Sequence, residues 1–185
     1  MPGFKNTQND ITVGPNIISN SEYSLKIYNL NNKKLCSQLF DSKNDWLGNS
    51  HLNQYGAKKL STYIYDEFLN RLVAKAKKIK LGAPMDKDTQ MGPLNSFKQL
   101  ENIEKNIKAT VEQGGVIRCG GKRSNISDKG YYFPATIIEC KNHNLPTAEN
   151  ELFGPVLSVM KFDTEEEAIN LMNDNKYGLS SGIYT

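Results

Sequence analysis

The rhythm of apolar residues changes part-way along this 185-residue chain. From about Ser61 it becomes helical. Phe68, Leu69, Leu72, Val73, Ala76 and Ile79 share one face with Lys and Arg opposite, which predicts a helix over 66–80 with Gly82 placed to stop it. Phe97, Leu100, Ile103, Ile107 and Val111 repeat the pattern and predict a helix over 95–113, ended by Gly114-Gly115. VIRCGG (116–121), YFPATIIEC (132–140) and PVLSVMKF (155–162) are rich in β-branched and aromatic residues and read as strands. Thr164 and Glu167 have capping-box spacing at the head of a helix over 164–174. Asn175 to Gly178 reads as a turn, and SSGIYT (180–185) begins a further strand. Strands alternating with amphipathic helices predict an α/β fold.

The first sixty residues have another texture. Asparagine recurs throughout (Asn6, Asn9, Asn16, Asn20, Asn29, Asn31, Asn32, Asn44, Asn49, Asn53), and the apolar clusters are short: Ile11 to Val13, Ile17-Ile18, and YSLKIYNL. Asn side chains compete for backbone hydrogen bonds and favour turns. Two or three short strands are expected there, with loose packing and no long helix before residue 55. The chain therefore divides into an irregular segment, 1–61, and an α/β segment, 62–185.

Composition narrows the class. At 38% apolar and 23% charged the chain is of ordinary globular type, and its net charge of +3 comes from interspersed acids and bases. No basic stripe suggests nucleic acid. No apolar run approaches the roughly 20 residues that span a bilayer. Three cysteines (Cys36, Cys119, Cys140) without a Cys-x-x-Cys pair fit reduced thiols better than a disulfide framework or a zinc site. These features together read as a cytoplasmic protein.

ELFGPVLSV (151–159) is the stretch whose chemistry is open. By spacing alone, Phe153 before Gly-Pro is a core anchor and Glu151 a solvated cap, or the two form a site. The flanking sequence adds a resemblance. IYDEFLNRLVAKAKKIKLGAPMDKDTQMGPLNSFKQL, GGVIRCGGKR, GYYFPATII and ELFGPVLSVMKFDTEEEAINLMNDNKYGLSSGIYT resemble the aldehyde dehydrogenase superfamily in order and spacing, over about 64–185. The resemblance implies part of that family's catalytic domain, in which an aldehyde is oxidised to an acid with NAD or NADP through a cysteine thiohemiacetal. It also implies that Glu151 hydrogen-bonds the nicotinamide ribose and that Phe153 packs beside the nicotinamide.

Other parts of the family pattern are not found. The loop before IYDEF reads SHLNQYGAKKLSTY and carries no cysteine; the general-base E-L-G-G-K segment and a phosphate-binding glycine loop are also absent. Cys36, Cys119 and Cys140 read as small hydrophobes, so no catalytic residue is assigned. Weak or no NAD binding is expected of this chain alone.

DSKNDWLGNSHLNQYGAKKLSTYI is similar to the C-terminal end of SGNH-type hydrolases, over about 27–65. That likeness implies His51 as a base, yet Gly48 stands where the orienting Asp is expected and Asp45 lies six positions before His51. Three functions follow: an aldehyde dehydrogenase fragment or chimera, a non-catalytic module pairing with a full-length homologue, and a remnant esterase.

Overall fold

The computed structural model describes residues 46–47, 51–52, 54–127 and 130–178. The expected strand over 180–185, most of the Asn-rich segment and Cys36 lie outside the described residues. The chain divides into two compact units, 1–68 and 69–185. In the first, β1 (Trp46–Leu47) pairs antiparallel with β2 (His51–Leu52), with Trp46 opposite Leu52. Helix α1 (Gln54–Ala76) carries the division at residue 68 within its length.

Helix α1 differs from the expected 66–80 at both ends. It begins twelve residues earlier, where the sequence is too polar all round to show a helical period but contains good helix formers such as Ala57, Lys58, Lys59 and Leu60. Its end comes at Ala76, where the hydrogen bonds shorten from Lys77 N–H to Val73 O (3.0 Å) to Lys78 N–H to Lys75 O (3.0 Å) and Ile79 N–H to Ala76 O (3.2 Å). Gly82 is not its stop. It donates to Met91 O at 3.1 Å, while Gln90 and Met91 both donate to Lys80 O, closing the 80–91 loop on itself.

In the second unit, α2 (Phe97–Glu112) starts where Ser96 Oγ accepts from Gln99 N–H at 3.2 Å. Its end is a Schellman closure: Gly115 donates to Thr110 O (2.8 Å), Gly114 donates to Val111 O (3.0 Å), and Gly114 has φ 95°. The buried face is Leu100, Ile103, Ile107 and Thr110. The expected flanking members Phe97 and Val111 are exposed, because the stripe is narrower than five residues; the Phe97 ring sits 5.8 Å from that of Tyr131.

Strands β3 (Val116–Cys119), β4 (Thr136–Glu139) and β5 (Val156–Val159) form a mixed sheet in that order, β3–β4 antiparallel and β4–β5 parallel. The central strand is buried on both faces, which suits its continuous run Thr136, Ile137, Ile138. The strands are shorter than the stretches that predicted them. Pro134 has no N–H to give a ladder, and the pairing between β3 and β4 slips at Arg118, a bulge. A one-turn helix the pattern did not predict, α3 (Pro146–Glu149), lies between β4 and β5, with Pro146 in its first turn.

Helix α4 (Glu165–Asn173) is capped by Thr164, whose Oγ accepts from Glu167 N–H at 3.1 Å; Glu167 Oε2 in return accepts from Asp163 N–H at 2.7 Å, one residue before the cap. Tyr177 N–H donates to Asn175 Oδ1 at 2.8 Å, forming the expected turn.

The core joins α2 to the sheet and to the β4–β5 connection: Leu100, Ile103, Ile107, Phe133, Ile138, Cys140, Leu145 and Leu152. A buried polar tie crosses it. Thr110 Oγ1 accepts from Thr147 N–H (3.0 Å) and donates to Thr147 Oγ1 (3.2 Å), which also accepts from Ser158 Oγ (3.1 Å). These groups satisfy one another away from water, as buried polar groups must.

On the surface, Arg123 grips Glu104 of α2 with two hydrogen bonds, Nε to Oε1 at 2.7 Å and Nη2 to Oε2. The hydrogen bond from Arg123 holds the Glu104 carboxyl below its usual range. A depressed folded pKa gives stability that is full above the unfolded carboxylate range and is lost as pH falls through the folded value. Glu104→Gln is therefore expected to lower the thermal midpoint at pH 7, with the two melting curves converging in acid. A constant offset across a melting series from pH 7 to pH 2 would show that the pair contributes nothing through charge.

Candidate functional site

Residues 150–155 form a short arm between α3 and β5, anchored at both ends. At its start, Asn150 N–H and Nδ2 each donate to Pro146 O (both 3.1 Å), and Nδ2 also reaches Asn106 Oδ1 on α2 (3.4 Å). At its end, Pro155 O accepts from Thr136 N–H at 2.7 Å, which begins the parallel β4–β5 ladder. Leu152, in the middle, is buried in the core cluster.

This anchoring decides where the two expected site residues go. With Leu152 turned in, Glu151 and Phe153 on either side of it are exposed, and Phe153 is 81% exposed. The structure thus places both side chains in solvent on one arm, so Phe153 is not the core anchor that spacing alone allowed.

Phe153 itself, not Gly154, has the left-handed backbone, with φ 49°, the one positive φ among the described non-glycine residues. Gly154 is required for a different reason. A Cβ there would lie 2.3 Å from Ile103 Cδ1, so only a hydrogen fits between the arm and α2.

Gln99 completes the arrangement, a residue that no pattern in the sequence singles out. Its Nε2 donates to Phe153 O and lies 3.5 Å from Leu152 O. An apolar cleft of about 400 Å³ begins where the arm ends, lined by Ala76, Ile79, Met91, Ile137, Pro155 and Leu157. A second cleft, about 660 Å³, runs along α4 away from the arm; there His143 Nε2 meets Asp174 Oδ2 at 2.6 Å, tying the turn after β4 to the end of α4.

The two described cysteines, Cys119 and Cys140, are buried, with Cys119 Sγ 3.7 Å from Ala135 O and Cys140 Sγ 3.9 Å from Thr147 Oγ1. His51 contributes its backbone to β2, and its side chain lies outside the described residues. Among the described residues no cluster of His, Cys, Asp and Glu could hold a metal, and no helix is long and apolar enough to cross a membrane.

Comparison with known proteins bears on residues 60–185, which match the family model described as "Aldehyde dehydrogenase family". The chain is 45% identical over 123 residues to (Z)-2-((N-methylformamido)methylene)-5-hydroxybutyrolactone dehydrogenase of Acinetobacter baylyi, covering 66% of this chain and 25% of that protein. Among solved structures it is similar to lactaldehyde dehydrogenase from Escherichia coli, with a TM-score of 0.62 at 41% identity, covering 66% of this chain and 25% of the other. It is also similar to a betaine aldehyde dehydrogenase variant from Staphylococcus aureus in complex with NAD+, with a TM-score of 0.60 at 40% identity, covering 63% and 24%. The chain spans about a quarter of the length of these relatives. These comparisons lend no support to a hydrolase-like tail over 27–65, most of which lies outside the described residues.

The contact between Gly154 and Ile103 gives a direct test of the arm. Gly154→Ala should cost about 1–3 kcal/mol through overpacking, since Ile103 is fully buried and has little room to yield. Adding Ile103→Val, which removes the clashing methyl, should recover part of that loss. Urea denaturation of the four chains in the cycle is expected to show a coupling of about 0.5–3 kcal/mol. Strict additivity would mean that the arm and α2 do not touch as described.

Proposed function

The chain belongs to the aldehyde dehydrogenase family, and on that premise we propose that its 151–155 arm is the nicotinamide-facing edge of an NAD(P)-dependent aldehyde-oxidising site. Glu151 accepts hydrogen bonds from the two ribose hydroxyls, which a carboxylate can do with both oxygens. Phe153 stands beside the nicotinamide ring as a wall that limits its swing. The carrying observation is the left-handed backbone of Phe153, which turns a large apolar side chain into solvent. Such a conformation costs about 1–2 kcal/mol and brings no core packing in return. Strain of this kind concentrates at functional sites.

The groups present fit a nicotinamide riboside: an exposed carboxylate, an aromatic face and a rigid backbone between them. The relative solved with NAD+ supports the cofactor class, and the named relatives support an aldehyde as substrate. When bound, the nicotinamide accepts hydride from the aldehyde carbon. This segment fixes the ring that receives it. Thiolate attack and hydrolysis of the acyl group fall to other parts of the family's architecture, since Cys119 and Cys140 are buried.

Two ribose hydrogen bonds contribute about 0.5–3 kcal/mol each, and one aromatic contact about 0.5–1.5 kcal/mol. Association costs roughly 4–15 kcal/mol. NAD affinity of these 185 residues is therefore expected to be millimolar or weaker, further reduced by Glu151→Gln or Phe153→Ala, with no detectable aldehyde oxidation. Calorimetric titration and a dehydrogenase assay check this. Micromolar binding, or turnover abolished by a Cys→Ser change, would overturn it.

A second reading, a non-catalytic module that pairs with a full-length homologue, is favoured by α4. None of its residues is buried, and Phe162, Ile169 and Met172 beside or on it are 59%, 49% and 44% exposed. On this reading the chain co-elutes with a full-length relative on a sizing column and Ile169→Glu abolishes co-elution. Separate elution of the unaltered chain counts against it.

A further inference from the structure

We propose that Gln99 is a positioning residue, whose side-chain amide holds the 151–155 arm in the conformation that turns Phe153 outward; the purpose of that wall rests on the cofactor reading above. A non-glycine residue at φ 49° persists only where its surroundings over-determine it. Three restraints act here. Leu152 is sunk in the core, Gly154 lies against Ile103, and Gln99 Nε2 donates to Phe153 O with Leu152 O at 3.5 Å. The first two fix where the arm lies. Of the three, Gln99 acts on the peptide groups flanking Phe153 and so selects their orientation.

The position of Gln99 in α2 argues that this is its task. Ser96-x-x-Gln99 has the spacing of a capping box, and Ser96 Oγ accepts from Gln99 N–H as that motif requires. In a capping box the side chain at this position folds back as an acceptor for the cap's own N–H, a role that Glu fills as well as Gln. Here the side chain instead reaches across to residues 53 and 54 positions later, where its partners are carbonyl oxygens. Only a donor suits them, and an ionised Glu has none.

That difference makes the test clean. Gln99→Glu keeps a competent helix cap and sets a carboxylate against two carbonyls, while Gln99→Met keeps the volume and loses the donor. The full chain, isotopically labelled, is read by NMR through the backbone shifts of Phe153 and of residues 97–112, without ligand and then with NAD as the probe. Both variants are expected to keep the helical shifts of 97–112. The ratio of left-handed to extended Phe153 should fall about 2- to 10-fold, the loss of one hydrogen bond, with the larger fall for Glu. The NAD-dependent shifts of the arm should weaken with it. Adding Phe153→Gly should restore the left-handed backbone with no donor present, because glycine adopts it freely. A Phe153 signature unchanged in both single variants overturns the proposal, as does loss of the helical shifts together with it. NAD-dependent shifts in the unaltered chain that fall away from residues 150–155 overturn the cofactor reading, and the ligand-free Phe153 signature still decides the role of Gln99.

Discussion

How closely α2 approaches the segment before β5 sets the geometry of everything around Phe153. The only residue at position 154 that lets Ile103 Cδ1 sit where it does is one with no Cβ. That approach brings the first turn of α2 beside the arm, which in turn puts the Gln99 amide within reach of the Leu152 and Phe153 carbonyls. A Cβ at 154 would meet Ile103 Cδ1, so a bulkier residue there requires a shift of that buried side chain or of the arm. The apolar contact and the polar one are therefore a single arrangement, and the exposed phenyl ring is its consequence.

The same helix is tied at its other end. Thr110 meets Thr147 of α3, and Thr147 meets the half-buried Ser158 of β5, so α2, the one-turn helix and the edge strand share one hydroxyl chain. Asn106, midway along α2, adds a contact to Asn150 at the start of the arm. Parallel β4–β5 pairing requires a crossover, and these ties fix it where it leaves α3 and where it enters the strand. The arm spans only the few residues between two fixed points, too short a length to wander.

Long-period features were legible in the sequence. Leu100, Ile103 and Ile107 announced α2, Gly114-Gly115 its end, and Thr164 the start of α4, because each rests on local spacing or local hydrogen bonding. The start of α1 was hidden, since residues 54–65 lack an apolar face to give a period. The one-turn α3 was too short to show one at all. At the site, the identities of Glu151 and Phe153 came from resemblance rather than from spacing. Why Gly154 is glycine and what Gln99 does could not be read, because both depend on residues about fifty positions away. A sequence pattern reports which residues share a face, and says nothing of which carbonyl a side chain will meet.

A left-handed Phe153 is disfavoured by about 1–2 kcal/mol before any contact is counted. Burial of Leu152 contributes about 1.5–3 kcal/mol in the other direction, and the Gln99 hydrogen bond about 1 kcal/mol more. On these figures the restraints outweigh the strain by about 0.5–3 kcal/mol. Glycine at 153 would remove the strain and make the arm more secure, but it would also remove the only aromatic surface the arm presents. Phenylalanine at this position carries a strain that glycine would not, and its side chain brings no core packing in return. The local stability surrendered there is supplied by the core residue beside it and by the helix behind it.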